Sequence, residues 1–125
     1  MLSEPDINMI TLRETKKRIA QDPRYWEIHF GNFLDDFRRH KSIRAIAEPL
    51  DLDDRKLDAL LASTAEALCD EAGLVPPAWL SAVPECEQPY FVGEIERLKA
   101  ISIVESPVRF RIRKIFVLEN FLSRV

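Results

Sequence analysis

Two side chains near the start of a predicted helix have the chemistry needed to cleave a phosphodiester bond. Arg24 and His29 are separated by four residues, in the order Arg-Tyr-Trp-Glu-Ile-His. A histidine can move a proton near neutral pH, and an arginine can stabilise the charge that develops on a phosphate. The spacing is common, however, because a chain with 12 arginines and 2 histidines gives roughly 0.6 matches by chance. A structural role for both residues is the simpler interpretation.

The Arg-x4-His pattern of Arg24 and His29 resembles the motif of the HEPN family of helical ribonucleases, which are similar in size to this chain. In that family the arginine and the histidine act in an RNA cleavage site, usually in a dimer. The resemblance implies that Arg24 and His29 would be catalytic. We treat this ribonuclease activity as the alternative to a non-enzymatic function.

Other catalytic and metal-binding patterns are missing from the sequence. His29 and His40 are 11 residues apart, and there is no CxxC, HxxxH, ExxH or GxSxG spacing. Asp36 and His40 share a helix face, where a surface or capping pair is the usual outcome. Cys69 and Cys86 have no adjacent histidine or basic cluster that would lower a thiol pKa. We therefore expect no metal, no cofactor and two reduced thiols in a cytoplasmic protein.

The net charge of −3 conceals a strong segregation of charge along the chain. Residues 1–47 carry a net charge of +2, residues 48–96 carry −10, and residues 97–125 carry +5. One interpretation is that the acidic middle faces the basic end within the domain or across a dimer. The other is that the basic end is a surface for an external acidic partner.

A basic segment near the C-terminus contains the residues best suited to binding a partner. Its charged members are Arg109, Arg111, Arg113 and Lys114. The three arginines alternate with apolar residues from Val108 onwards, and this period of two predicts a half-buried strand with an arginine face. A helical interpretation of residues 108–118 stays open, because some of the same apolar residues also recur at helical spacing.

Nucleic acid is a weaker candidate partner. Residues 42–50, a turn at 51–53 and the helix that follows have the order of a helix-turn-helix. The second helix of this arrangement, which would enter the major groove, carries Asp53, Asp54 and Asp58, which would repel phosphate oxygens. The arginines of the basic segment lack an exposed aromatic platform for bases. We therefore regard nucleic-acid binding through the basic segment as a weaker alternative.

The C-terminal 50 residues resemble the end of a group of uncharacterised bacterial proteins. The similar stretches are PPAWL, PYFV and VESPVRFRIRKIFVLENFLSRV. Some members of the group carry an upstream helix-turn-helix domain, and some look like antitoxin partners of nucleotidyltransferase-type toxins. Here Ile112 interrupts the arginine triplet that is typical of the group. The resemblance implies a type of interaction module and no particular reaction.

Helix signals divide the chain into elements that would position these residues. The strongest signals are the Thr11–Glu14 capping spacing, the Asp22-Pro23 start and Gly73 followed by Pro76-Pro77. They predict helices over about 11–20, 22–40, 42–48, 53–72 and 93–105. They also predict a short buried strand over 115–118 that follows a turn at Lys114.

The sequence predicts a mainly α fold, a compact helical domain of about five helices with a small β or extended element near the C-terminus. We expect one domain over 1–125, comprising a helical part (1–74), a loop rich in proline and aromatic residues (75–92) and a helix with a basic amphipathic segment (93–125). No secretory signal or membrane span is expected. The favoured function is a non-enzymatic, antitoxin-like or regulatory interaction module that binds another protein or a second copy of itself.

Overall fold

The computed structural model describes residues 9–92 and 99–124 and confirms the mainly α class. The α-helices are α1 (Leu12–Gln21), α2 (Trp26–His40), α3 (Arg55–Ala72), α4 (Lys99–Glu105) and α5 (Val108–Arg111). Short 3-10 turns cover Pro23–Tyr25, Ile43–Ile46 and Ala78–Ala82, and two strands, β1 (Tyr90–Phe91) and β2 (Ile115–Phe116), form a parallel pair. No helix in the described ranges has both the length and the apolar character needed to cross a bilayer.

Helix α3 is the central element of the fold. Asp54 caps its N-terminus by accepting the N–H of Leu57. Gly73 ends the helix in the left-handed region at φ 72°. The helix is buried around most of its circumference, and α1, α2, α5 and the Ala78–Ala82 turn pack against it. These four elements are therefore positioned by their contacts with α3.

The N-terminal helices follow their predicted signals closely. The hydroxyl oxygen of Thr11 accepts the N–H of Glu14 at 3.0 Å, as the capping spacing predicts. Pro23 begins a 3-10 turn that leads directly into α2, and α2 ends where Lys41 adopts φ 49°. The helix predicted over 42–48 is shorter, a single 3-10 turn. It is followed by Pro49, which disfavours helical backbone at the residue before it.

Of the two interpretations of residues 108–113, the strand is wrong and the helical one is confirmed for Val108–Arg111, which form the one-turn helix α5. Phe110 and Arg113 lie inside the fold, whereas Val108 and Ile112 are exposed. The burial of these side chains therefore follows a helical period, and it does not follow the alternation of arginines with apolar residues. The short strand that follows the turn at Lys114 (φ 63°) is confirmed in its first two residues. Residues 93–98 of the helix predicted over 93–105 lie outside the described ranges, and α4 covers the remainder.

The segment 118–124 returns across α2. The Phe121 ring lies 5.3 Å from the Phe30 ring, measured between centroids, and 6.0 Å from that of Phe110. Arg124 donates to the two carboxylate oxygens of Asp35 at 3.1 and 3.3 Å. Its guanidinium lies directly on Gly31, where an added Cβ would be 2.6–2.8 Å from it. Gly31 therefore leaves the space that the arginine occupies.

Candidate functional site

Arg113, one of the predicted partner-binding residues, is buried and bound within the fold. Only 4% of the residue is exposed, and its guanidinium donates to both carboxylate oxygens of Glu66 at 2.5 and 3.2 Å. It also donates to the carbonyl oxygens of Leu80 (2.7 Å) and Val83 (3.1 Å) and to the hydroxyl of Ser63 (3.3 Å). A guanidinium whose donors are used in this way has none left for a partner. Arg113, which follows α5 in the chain, therefore connects that segment to α3 within the fold and does not bind a partner.

Arg109 and Lys114 form ion pairs nearer to the surface. The Arg109 guanidinium donates to both carboxylate oxygens of Asp70, at 2.9 and 3.0 Å. These hydrogen bonds lower the pKa of the Asp70 carboxyl below its usual value. The Lys114 ammonium lies 3.7 Å from a carboxylate oxygen of Glu85. Both residues remain partly exposed, and both are already engaged with carboxylates of this chain.

Arg111 differs from the other members of the basic segment. It is exposed, and no ion pair joins it to any residue in the described ranges. Val108 and Ile112 are 59% and 56% exposed. Residues at positions i, i+3 and i+4 lie on one side of a helix, so these three side chains share a surface. We call Val108, Arg111 and Ile112 the α5 face.

The segregated charges of the sequence are largely paired inside the fold. Carboxylates of the acidic stretch 48–96 bind basic residues from both ends of the chain. The pairs are Arg13–Asp51, Lys16–Asp53, Lys16–Asp58, Arg38–Glu71, Arg109–Asp70, Arg113–Glu66 and Lys114–Glu85. These contacts support the interpretation that the acidic middle complements the basic ends within one chain. Within the part of the chain that the structure describes, they leave the α5 face as the part of the basic segment without an ion pair.

Lys16 forms a second buried charge cluster that the sequence did not reveal. Its ammonium donates to the Asp53 carboxylate at 2.5 Å and lies 2.7 Å from the buried carboxylate of Asp58. It also donates to the carbonyl of Asp51. Burial opposes the charge on this ammonium, but the two carboxylates outweigh that effect and raise the pKa of Lys16. The cluster fixes α1 against the N-terminal turn of α3.

The proposed catalytic pair, Arg24 and His29, has separate contacts. The Arg24 guanidinium carbon lies 5.5 Å from the centre of the Tyr25 ring. The Nε2 atom of His29 lies 3.1 Å from a carboxylate oxygen of Asp22. Arg24 is exposed and His29 is half-buried. Each residue therefore has a local partner in the turn that begins α2, and no described contact joins the two.

The cysteines and the Asp36–His40 pair show no arrangement in the described residues that favours thiol catalysis or metal binding. Cys69 and Cys86 are buried free thiols. Burial raises the pKa of Cys69 to about 11 and also raises that of Cys86, which keeps both protonated at neutral pH. Asp36 is buried and accepts the N–H of Ile10 at 2.7 Å, while His40 lies 3.4 Å from the same carboxylate. The described residues contain no group of three histidine, cysteine or acidic side chains suited to holding a metal ion.

Comparison with known proteins gives no further guidance, because no family model, curated protein or solved structure matches this chain.

Proposed function

We propose that this chain is a non-enzymatic interaction module of antitoxin-like or regulatory type, and that its α5 face binds a partner protein. The observation that carries the proposal is the exposure of Val108 and Ile112 on either side of Arg111. Apolar side chains that flank an arginine with no ion pair among the described residues are a composition typical of protein interfaces. The matching surface on the partner would be apolar, with a carboxylate that reaches the Arg111 guanidinium.

The ion pairs elsewhere in the basic segment reduce the number of charged residues that a partner could recognise. Arg113 and Arg109 serve the fold through Glu66 and Asp70, so a partner would have to be recognised by fewer charges than the sequence predicts. Burial of Val108 and Ile112 would then be the main favourable contribution of the α5 face to binding. Arg111 would mainly add specificity and a salt-sensitive association rate.

A photo-crosslinking amino acid placed at position 112 tests this proposal in cells. The control carries the same amino acid at position 75, because Val75 is 85% exposed and lies in a loop remote in sequence from α5. We expect one protein to be captured from position 112 and not from position 75. A crosslink between two copies of the chain would identify a homodimer in place of a separate partner.

The captured protein is then purified and its affinity measured directly. We expect the double variant Val108→Ser/Ile112→Ser to bind at least about tenfold more weakly than the wild type. Val75→Ser should bind like the wild type. Equal affinities for the two variants would contradict the proposal. RNA cleavage by the purified chain that disappears in both Arg24→Ala and His29→Ala would replace it with the ribonuclease alternative.

A further inference from the structure

A recess of about 260 Å³ lies between the start of α2, the N-terminal turns of α3 and β1. Its walls include Pro23, Trp26, Asp54, Leu57 and Tyr90, together with the side chain of Lys56. We propose that this recess is a binding site for a small organic ammonium ion. The proposal is independent of the α5 face, because none of the residues that line the recess belongs to α5.

The chain's own Lys56 shows which chemistry the recess accepts. Its ammonium nitrogen lies 5.2 Å from the centre of the Tyr90 ring. A cation within about 6 Å of an aromatic centroid is attracted by the negative face of the ring. A second aromatic wall is provided by Trp26, whose ring is fixed by an edge contact with Phe30 at 5.7 Å. Lys56 therefore marks the position that the charged group of a ligand would take.

Asp54 supplies the negative charge at the edge of the recess. Its described side-chain hydrogen bond is the one from the backbone N–H of Leu57, at 3.2 Å. The neighbouring carboxylate of Asp53 is engaged by the Lys16 ammonium. Asp54 thus has no ion pair with any residue in the described ranges, although it lines the recess. A cation on the aromatic walls would be attracted by this carboxylate.

The other charges around the recess favour a cation over an anion. On α1, the Lys16 ammonium is already held by Asp53 and by the buried Asp58. On α3, Arg55 donates to the carbonyl of Glu85 and so points to another part of the chain. The positive end of the α3 dipole opposes a cation, and the carboxylate of Asp54, which Lys16 does not engage, offsets it.

Lys56 is also the competitor that a ligand must displace. It is exposed and lies in the first turn of α3, where the helix dipole disfavours a positive charge. Its long aliphatic stem allows the ammonium to move into solvent at little cost. Removal of this charge should therefore strengthen binding of an external ammonium. A residue with only a structural role in the recess would not produce that result.

The experiment follows the two tryptophan indole N–H signals of the full chain by nuclear magnetic resonance. Trp79 serves as the internal reference because its N–H donates to the carbonyl of Ile46 at 2.9 Å. The probes are choline, n-butylammonium and 3,3-dimethylbutan-1-ol, a neutral isostere of choline, at constant ionic strength. We expect at least one of the two ammonium ions to shift the Trp26 signal saturably, while the neutral compound and the Trp79 signal show no such effect.

Three variants complete the test. Lys56→Met should tighten binding by at least about threefold. Asp54→Asn should weaken it by at least about threefold and keep the helix cap, since asparagine is an equally good capping residue. Lys17→Met, an exposed lysine on α1, is the matched control and should bind like the wild type. Binding that is equal for choline and its neutral isostere, or unchanged in Lys56→Met, would overturn the proposal.

Discussion

The two sides of residues 108–113 are built from similar residues but differ in burial and in their contacts with the rest of the chain. On the inner side, Phe110 is fully buried and Arg113 is bound to Glu66. On the outer side, Val108 and Ile112 are exposed around Arg111. Each side thus combines arginine with apolar residues. The difference shows that an arginine's function depends on its position on the helical turn and on the presence of a carboxylate opposite it.

The largest expected effect comes from removing the partner of the buried arginine. Glu66→Ala leaves the Arg113 guanidinium charged and buried, which should reduce the free energy of unfolding by about 3–5 kcal/mol. Urea denaturation at pH 7 measures this change. The matched control, Asp70→Ala, removes the partner of a half-exposed arginine and should cost less than about 1 kcal/mol. Equal losses in the two variants would contradict the distinction between the buried Arg113–Glu66 pair and the partly exposed Arg109–Asp70 pair.

A smaller effect is expected from reshaping the aromatic core. Phe110→Leu should reduce the free energy of unfolding by about 1–2 kcal/mol, because the smaller side chain leaves space against the Phe121 ring. Ile112→Leu keeps an aliphatic residue of the same size on the exposed side and should change stability by less than about 0.5 kcal/mol. Thermal unfolding followed by circular dichroism compares the two variants directly.

The two arginines of α5, Arg109 and Arg111, should differ by less in their contribution to stability. Arg109→Met removes the bidentate pair with Asp70 and should cost up to about 1 kcal/mol of the free energy of unfolding. Arg111→Met removes no ion pair with a described residue and should leave the stability within about 0.5 kcal/mol of the wild type. A loss in Arg111→Met that exceeds the loss in Arg109→Met, measured by urea denaturation, would show that Arg111 is bound within the fold after all.

The smallest expected effect is on how the free energy of unfolding depends on pH. Arg109 lowers the pKa of Asp70 in the folded state. The Asp70 carboxylate therefore binds a proton more readily in the unfolded chain than in the folded one. The pair therefore stabilises the fold above about pH 4 and loses its contribution as the pH falls through the folded pKa. Asp70→Asn should shrink the acid-induced loss of stability by about 0.3 kcal/mol, because the pair is half-exposed and screened. Urea denaturation of both proteins at pH 2.5 and pH 6 gives the difference.

Local signals in the sequence predicted the helix ends well. Thr11, Gly73 and the Asp22-Pro23 step act on the backbone within a few residues, so their effect does not depend on the rest of the fold. The pairing of Arg113 with Glu66 spans 47 positions and depends on how α5 packs against α3. One signal was present: Glu66 is the single charged residue in the stretch 59–69 of a predicted helix. A lone charge at such a position is expected to find a buried partner.

Alternation misled the interpretation of the basic segment, because residues 108–113 satisfy a period of two and a helical period at once. A run of six residues is too short for periodicity to separate the two. The α5 face could be identified only when the structure showed which arginine has a carboxylate opposite it. The recess at Trp26 and Tyr90 joins residues 64 positions apart in the chain, and no local pattern connects them.

The contact of Arg124 with Gly31 and Asp35 has a consequence for synthesis of the protein on the ribosome. Arg124 and Asp35 are 89 positions apart. At about 5–20 residues per second, α2 is made roughly 4–18 s before the segment that covers Phe30 and Gly31. During that interval Phe30 and Gly31 lack the cover that Phe121 and Arg124 later provide. The segment 118–124 thus sets the earliest moment at which the newly made chain can complete the packing around this part of α2.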